Sequence, residues 1–364
     1  MRILSGLLVL LLVGCAEPPP EPPAAPAASA KPAEPQPEQS KPPAAKKKPP
    51  KAPAVDAAAV TAIVEQALGQ TPLPAAAVVL ESTGKLVTAA GQRGADPALQ
   101  ALRPGSTLKP LLAYIAARAG TLLPDTRVTC TGRYAPLPGF RCHGRHGELD
   151  LVNALRTSCN TYFFELAQKT GLEKIRIGFE GFGLGEPTGL VSDESSGRIP
   201  DDAALRHLAP NPKTEQLWPG FTLQIGLGHG PIQVTLAQLT SAHADLALRL
   251  TRKSDQKAQS QDLQAIDQQI LQGLTACVGP EGTGAAAQVD GIEVAGKTGT
   301  AEAGHYAEPG SEKGKDNAWF VGFAPARDPE IVVGVLVLSG GNCGTSAAPI
   351  AKAIFSGWQQ TRSK

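Results

Sequence analysis

The chain predicts a mixed α/β fold in which one antiparallel sheet, built from both chain ends, packs on a helical middle. Three observations carry this expectation. Apolar runs bounded by turn residues lie at 75–90 and again at 292–338. Between them the apolar residues recur at helical spacing. Residues 16–55 are almost all Pro, Ala, Lys, Glu, Gln and Ser, with too little apolar surface to join either part. Strands at both ends with helices between them close most simply as one sheet that unites the ends.

The elements follow in order. Asp56 to Gln70 carries Ala59, Val60, Ile63, Val64 and Leu68 on one helical face. Ala75 to Leu80 and Leu86 to Ala90 read as strands joined by a tight turn, where Gly84 supplies a positive φ. A helix is expected from Ser106 to about Ala119. Pro104-Gly105 breaks the chain before it, Pro110 fits a first turn, and Gly120 stops it. Leu149 to Leu155 and Tyr162 to Thr170 are short helices with Ser158-Cys159-Asn160 between them. Val234 to Ala247 is a core helix and Asp255 to Cys277 an amphipathic one. Ile292 to Ala301, Ala318 to Phe323 and Ile331 to Leu338 are the remaining strands. Residues 325–329 link the last two as a hairpin, Trp319 and Phe320 belong to the core, and Ala347 to Gln360 closes the chain as a helix.

The start of the chain reads as an address. Met1 to Gly14 has one Arg followed by the apolar run Ile3 to Val13, an export signal too short to span a bilayer. Leu12-Val13-Gly14-Cys15 resembles the bacterial lipobox, which implies cleavage before Cys15 and lipidation of that cysteine. The expected organisation is a lipoprotein signal at 1–14, a Pro/Ala/Lys-rich flexible tether at 15–55 and one folded domain at 56–364. The expected location is periplasmic, held to the inner or outer membrane by lipid. A net charge of +1 gives no argument for nucleic acid. Export permits disulfides, and removing Cys15 from the 6 cysteines leaves an odd number, so at least one stays unpaired. Cys130 with Cys142, flanking a Gly/Pro-rich loop, is expected as a disulfide rather than a zinc cluster with His143 and His146. Cys277 with Cys343 is a second candidate pair, leaving Cys159 as the free thiol.

Three short segments carry the chemistry. Ser106-Thr107-Leu108-Lys109 puts a nucleophile and a base about one turn apart at a helix start, whose free N–H groups suit a developing oxyanion. A serine hydroxyl needs a base, and lysine serves only when burial or a nearby cation lowers its pKa. Ser158 and Asn160 face one cleft if their segment is extended, although both residues also favour helix caps. Lys297-Thr298-Gly299-Thr300 reads as an edge strand that offers a cation, two hydroxyls and a glycine where a substrate backbone approaches as an added strand. The loop Gly226-Leu227-Gly228-His229-Gly230 lacks the strand and the acidic residue of a dinucleotide site.

In this order the three segments resemble the active-site triplet of the penicillin-binding transpeptidases and serine β-lactamases. The likeness extends to Ala76–Ala90, to Ser158-Cys159-Asn160-Thr161-Tyr162-Phe163, to Gly226–Gly230, to Ala295–Glu302 and to Ala318-Trp319-Phe320-Val321-Gly322. It implies a five-stranded antiparallel sheet flanked by helices. It implies Ser106 as acyl-ester nucleophile, Lys109 as base, Ser158 and Asn160 as second motif, and Lys297 as cleft cation. Lys297, Thr298 and Thr300 would bind the substrate carboxylate and Gly299 would let the substrate backbone approach, with the N–H groups of Ser106 and Thr300 as oxyanion hole. The implied activity is D,D-transpeptidation of D-Ala-D-Ala stem peptides of peptidoglycan, with covalent binding of β-lactams and no metal or cofactor. The implied partner is a cell-wall synthase complex. A D,D-carboxypeptidase, or a sensor that acylates and stops, is the alternative. Large members of the family carry a second domain and a membrane helix, in whose place this chain has Cys15 and the tether. Glu186-Pro187 fits a surface turn better than the deacylation base of class A β-lactamases.

Overall fold

The computed structural model describes residues 55–208, 217–252, 259–301 and 316–362. The signal, Cys15, nearly all of the tether, Glu302 and the start of the helix expected from Asp255 lie outside these residues. Among the described residues no helix is long and apolar enough to cross a membrane.

Strands β1 (Ala75–Glu81), β2 (Leu86–Gln92), β5 (Ala295–Ala301), β6 (Asn317–Ala324) and β7 (Ile331–Val337) form one sheet in the order β2-β1-β7-β6-β5. Every neighbouring pair is antiparallel, and β1 pairs with β7 from Ala75↔Val337 to Glu81↔Ile331. Both chain ends therefore meet in the middle of the sheet, as the sequence predicts, and among the described residues β5 is an edge. The period of two sorts the side chains. Ala75, Ala77, Val79, Val333, Val335 and Phe320 pack with Val60 and Val64 of α1 (Ala57–Gly69) and with Ile354 and Trp358 of the closing helix Ala347–Arg362. Ala76, Val78, Leu80, Val332, Leu336 and Trp319 face the helical region. Both faces of the sheet are covered, so its strands read as continuous apolar runs rather than alternating ones.

The helical region is built around α2 (Lys109–Arg118), preceded by a 3-10 turn at Gly105–Leu108. Leu108, Leu111, Leu112, Ala113 and Ala116 are wholly buried. A small hairpin, β3 (Val128–Cys130) with β4 (Gly147–Leu149), leads into α3 (Leu151–Arg156) and α4 (Asn160–Thr170). Next come α5 (Leu172–Gly181), α6 (Asp202–Leu208), α7 (Gly220–Gly226), α8 (Leu236–Thr251) and α9 (Gln261–Val278), and the closing helix is α10. The hairpin, α5, α6 and α7 are not legible in the sequence. They are short, and their apolar residues serve packing against neighbours rather than a regular stripe. Helix α8 starts on a capping box, with Thr235 and Gln238 each bonding the other's backbone N–H.

An ion pair locks α2 to α9. Arg118 donates through Nη2 to Asp267 Oδ2 at 2.6 Å, and the Asp267 side chain is fully buried. The same guanidinium lies 3.4 Å from the Tyr114 ring centre.

Candidate active site

The three motif segments converge where α2 begins, α4 begins and β5 runs along the sheet edge. Two close approaches set the frame. Gly228 has φ +77, and a Cβ there would lie 2.2 Å from the carbonyl oxygen of Gly105. The Gly105 N–H donates to Gly228 O at 2.9 Å, so the loop after α7 grips the nucleophile turn. A Cβ on Gly299 would lie 2.7 Å from Pro104 O and from Thr107 Cγ2. Gly299 thus lets β5 press against the nucleophile turn itself. His243 of α8 adds a third tether, its Nε2 lying 3.0 Å from Thr107 O. Burial, with Lys297 as a further contributor, pulls His243 down to about 4, so its neutral ring donates that bond.

Lys109 and Lys297 are both fully buried. Lys109 Nζ donates to Ser158 O at 2.6 Å, to Ser158 Oγ at 3.2 Å and to Asn160 Oδ1 at 2.7 Å. Lys297 Nζ donates to the same Ser158 Oγ at 2.9 Å and to Thr298 O at 3.0 Å. Ser158 Oγ is therefore shared by the two lysine Nζ groups. Ser158 reaches this position with φ +54, a conformation that costs a serine on the order of 1–3 kcal/mol. The capping alternative for the second motif does not apply. The residue before α4 is Cys159, which makes no side-chain cap bond, and Ser158 and Asn160 turn to the lysines. Burial holds Lys109 well below the ordinary lysine range, and the nearby Lys297 charge adds to it. Burial also lowers Lys297.

Ser106, Ser158, Asn160, Thr298 and Thr300 line one open cleft of about 440 Å³. Thr298 Oγ1 is 2.6 Å from Thr283 Oγ1, which in turn lies 3.3 Å from Cys277 Sγ. Lys109 and Lys297 lie buried behind this cleft and are joined to its lining through Ser158 Oγ.

The cysteines depart from expectation. Cys130, Cys142, Cys159, Cys277 and Cys343 are all free thiols, so neither the Cys130–Cys142 nor the Cys277–Cys343 disulfide is present. The sulfurs are engaged elsewhere. Cys343 donates to Trp319 O at 2.8 Å, Cys277 meets Thr283, and Cys130 lies 3.3 Å from Thr161 Oγ1. Cys142 Sγ faces Cys159 Sγ at 3.9 Å and His146 Nδ1 at 3.6 Å. The hydrogen bond between the two sulfurs lowers the Cys142 thiol, with His143 adding to it, and together with burial raises Cys159. Cys130, Cys142, His146 and Cys159 place their donor atoms within 4.8 Å of one another. Three thiols and an imidazole at that spread suit a soft tetrahedral ion such as zinc, where the sequence reading expects no metal.

Residues 75–356 match the family model of the penicillin binding protein transpeptidase domain. The chain belongs to that family. It is 31% identical over 302 residues to the peptidoglycan D,D-transpeptidase MrdA of Acinetobacter baumannii, covering 72% of this chain and 43% of that protein. It is 31% identical over 277 residues to the peptidoglycan D,D-transpeptidase PbpA of Mycolicibacterium smegmatis, covering 70% of this chain and 54% of that one. The chain thus spans about half the length of these curated relatives. Among solved structures, Pseudomonas aeruginosa PBP2 in complex with WCK 5153 superposes with a TM-score of 0.68 at 26% identity, covering 83% of this chain and 74% of that one. The transpeptidase domain of Burkholderia pseudomallei penicillin-binding protein 3 shares the fold, with a TM-score of 0.66 at 24% identity over 84% and 93% of the two chains.

For this penicillin-binding transpeptidase family member, sequence reasoning missed three polar residues at the site. His229 lines the cleft, and burial, with Lys109 and Arg103 adding repulsion, pulls it down to about 4. Thr283 supports Thr298, and His243 holds Thr107. Thr283 and His243 sit in no motif, and His229 lies in the Gly226–Gly230 run, where the sequence reading gave the histidine no role. Only the glycine-rich runs around 228 and 284 mark tight loops near a site.

Proposed function

We propose that this chain is a serine D,D-transpeptidase that cross-links peptidoglycan through an acyl-ester on Ser106. The observation that carries the reading is that Ser158 and Asn160 line the cleft that Ser106 lines and are hydrogen-bonded from behind by the buried Lys109, with Lys297 also on Ser158. The relatives' names supply the substrate class.

In this reading Lys109, neutral through burial, accepts the Ser106 proton as Oγ attacks the amide between the two terminal D-alanines. The oxyanion forms at the N–H groups of Ser106 and Thr300. Ser158, between the two lysines, hands a proton to the departing D-alanine amine. Lys297, Thr298 and Thr300 hold the substrate carboxylate, and the free edge of β5 accepts the stem peptide as an added strand. An amine from a neighbouring stem then displaces Ser106. A β-lactam enters by the same route and stays bound to Ser106. Product analysis on purified muropeptides tests this. Cross-linked dimers with release of D-alanine support transpeptidation. Trimmed monomers alone would make it a carboxypeptidase, and unchanged substrate would leave only a binder.

We further propose that Cys15 carries lipid and that residues 16–55 tether the domain to a membrane facing the periplasm, where cell-wall synthases would be partners. The lipobox-like Leu12–Cys15 and the Pro-rich composition support this. Cys15→Ser is expected to move the protein from the membrane to the soluble fraction. A variant that stays membrane-bound after signal cleavage would require another anchor.

A further inference from the structure

We propose that Asp316 is a specificity residue of this cleft: its carboxylate takes the side-chain ammonium of the donor residue that immediately precedes the D-Ala-D-Ala pair. The inference rests on the acyl-enzyme reading, in which stems carry the amine that later serves as acceptor. Asp316 lines the same cleft as Ser106, Thr298 and Thr300. It is the one carboxylate among the described residues that line it. The other titratable lining groups are His143, His229 and Cys343, with Lys109 and Lys297 buried behind. A single negative charge at the rim of such a cleft favours a cation and rejects an anion.

The backbone fixes where this carboxylate stands. Strands β5 and β6 pair as far as Ala301↔Asn317, and Asp316 is the residue just before that pair on the β6 side. Its carbonyl accepts the Gly341 N–H at 2.8 Å. Asn317, wholly buried, accepts the Ser339 N–H through Oδ1 at 3.0 Å. The segment is thus pinned to the turn after β7, and among the described residues nothing pairs with the Asp316 carboxylate itself. The fold uses the residue through its backbone and leaves its half-buried side chain to the cleft.

The direction of the donor follows from the same cleft. Lys297 and Thr298 hold its terminal carboxylate and the Thr300 N–H meets the scissile carbonyl, so the donor runs from Thr298 past Thr300 toward Ala301 and the Asp316 end. At roughly 3.3 Å per residue, the residue before the D-Ala pair lies beside Ala301. A strand added on β5 stands about two strand spacings from β6, roughly 10 Å. A long aliphatic amine on one side and an aspartate on the other span that distance. A neutral side chain of the same length leaves the carboxylate without a counter-charge, and an anionic one meets repulsion.

The test uses the full-length protein and three thiolester donors that differ only in the residue before the D-alanine: lysine, Nε-acetyl-lysine or Nε-succinyl-lysine. D-Thiolactate replaces the terminal D-alanine, and the N-terminus is blocked in all three. No acceptor is present, so any preference belongs to the donor. Acylation of Ser106 is followed by intact mass. The lysine donor is expected to react about three- to tenfold faster than the acetylated one, the range for a charge-assisted contact in a partly solvated site. Salt at about 0.5 M is expected to shrink that ratio. Asp316→Asn is expected to bring it to about one, Asp316→Glu to keep it, and Asp316→Lys to favour the succinylated donor. Donors are compared on the same variant, so a general loss of folding or activity cancels. Equal rates in the native protein, or a preference that survives in Asp316→Asn, would overturn this proposal alone. No adduct from any donor would overturn the acyl-enzyme reading and the proposal with it.

Discussion

Lys109→Arg is expected to lower β-lactam acylation by about two to four orders of magnitude, the range that a positioned general base supplies. Lys109 is wholly buried and donates to three oxygens of the second motif. Burial first, and the Lys297 charge second, push it toward the neutral form that can accept a proton. Arginine keeps the positive charge and donates to the same oxygens, but it does not give up its proton. The substitution therefore separates base chemistry from electrostatics. The sign of the pH dependence follows. In the native protein acylation rises as pH rises through the depressed Lys109 pKa and the base becomes free. In the arginine variant that limb is expected to vanish. Stopped-flow acylation across pH measures both, and near-normal rates with a preserved rising limb would point to another base.

Asp267→Ala is expected to destabilise the fold by about 3–5 kcal/mol, the cost of leaving one partner of a buried ion pair without its counter-charge. The Asp267 carboxylate is fully enclosed beneath α2, and Arg118 reaches it from the end of that helix while stacked on Tyr114. Removing the carboxylate leaves a guanidinium that is one quarter exposed and packed against an aromatic face. Replacing both partners with apolar residues, Arg118→Met with Asp267→Leu, is expected to recover most of the loss, because neither charge is then desolvated alone. Urea unfolding of the two variants decides this. A single variant within about 1 kcal/mol of the native protein would mean that water reaches the pair.

Much of the fold is legible in the sequence because the five strands keep their apolar runs and their turn residues. Both faces of the sheet are covered, so Ile331–Val337 and Ala75–Leu80 announce themselves without alternation. The motif segments are legible for a chemical reason: a buried lysine beside a serine has few structural uses. The second motif is the instructive case. Ser158 and Asn160 are common cap residues, and composition does not reveal a serine at φ +54 turned toward two lysines. The cysteines fail differently. Spacing across the loop suggests that Cys130 and Cys142 pair, but the β3–β4 hairpin delivers both unbonded sulfurs to one cluster with Cys159 and His146. That meeting depends on how the hairpin docks on α4, a tertiary event with no local signature. His243 and Thr283 were out of reach for the same reason.

The central claim, that Ser106 is the acyl-ester nucleophile of this cleft, is tested most directly by intact-mass spectrometry after penicillin treatment. One covalent adduct of the antibiotic's mass, located on Ser106 and lost in Ser106→Ala, is the predicted result. An adduct of unchanged yield in Ser106→Ala would contradict it.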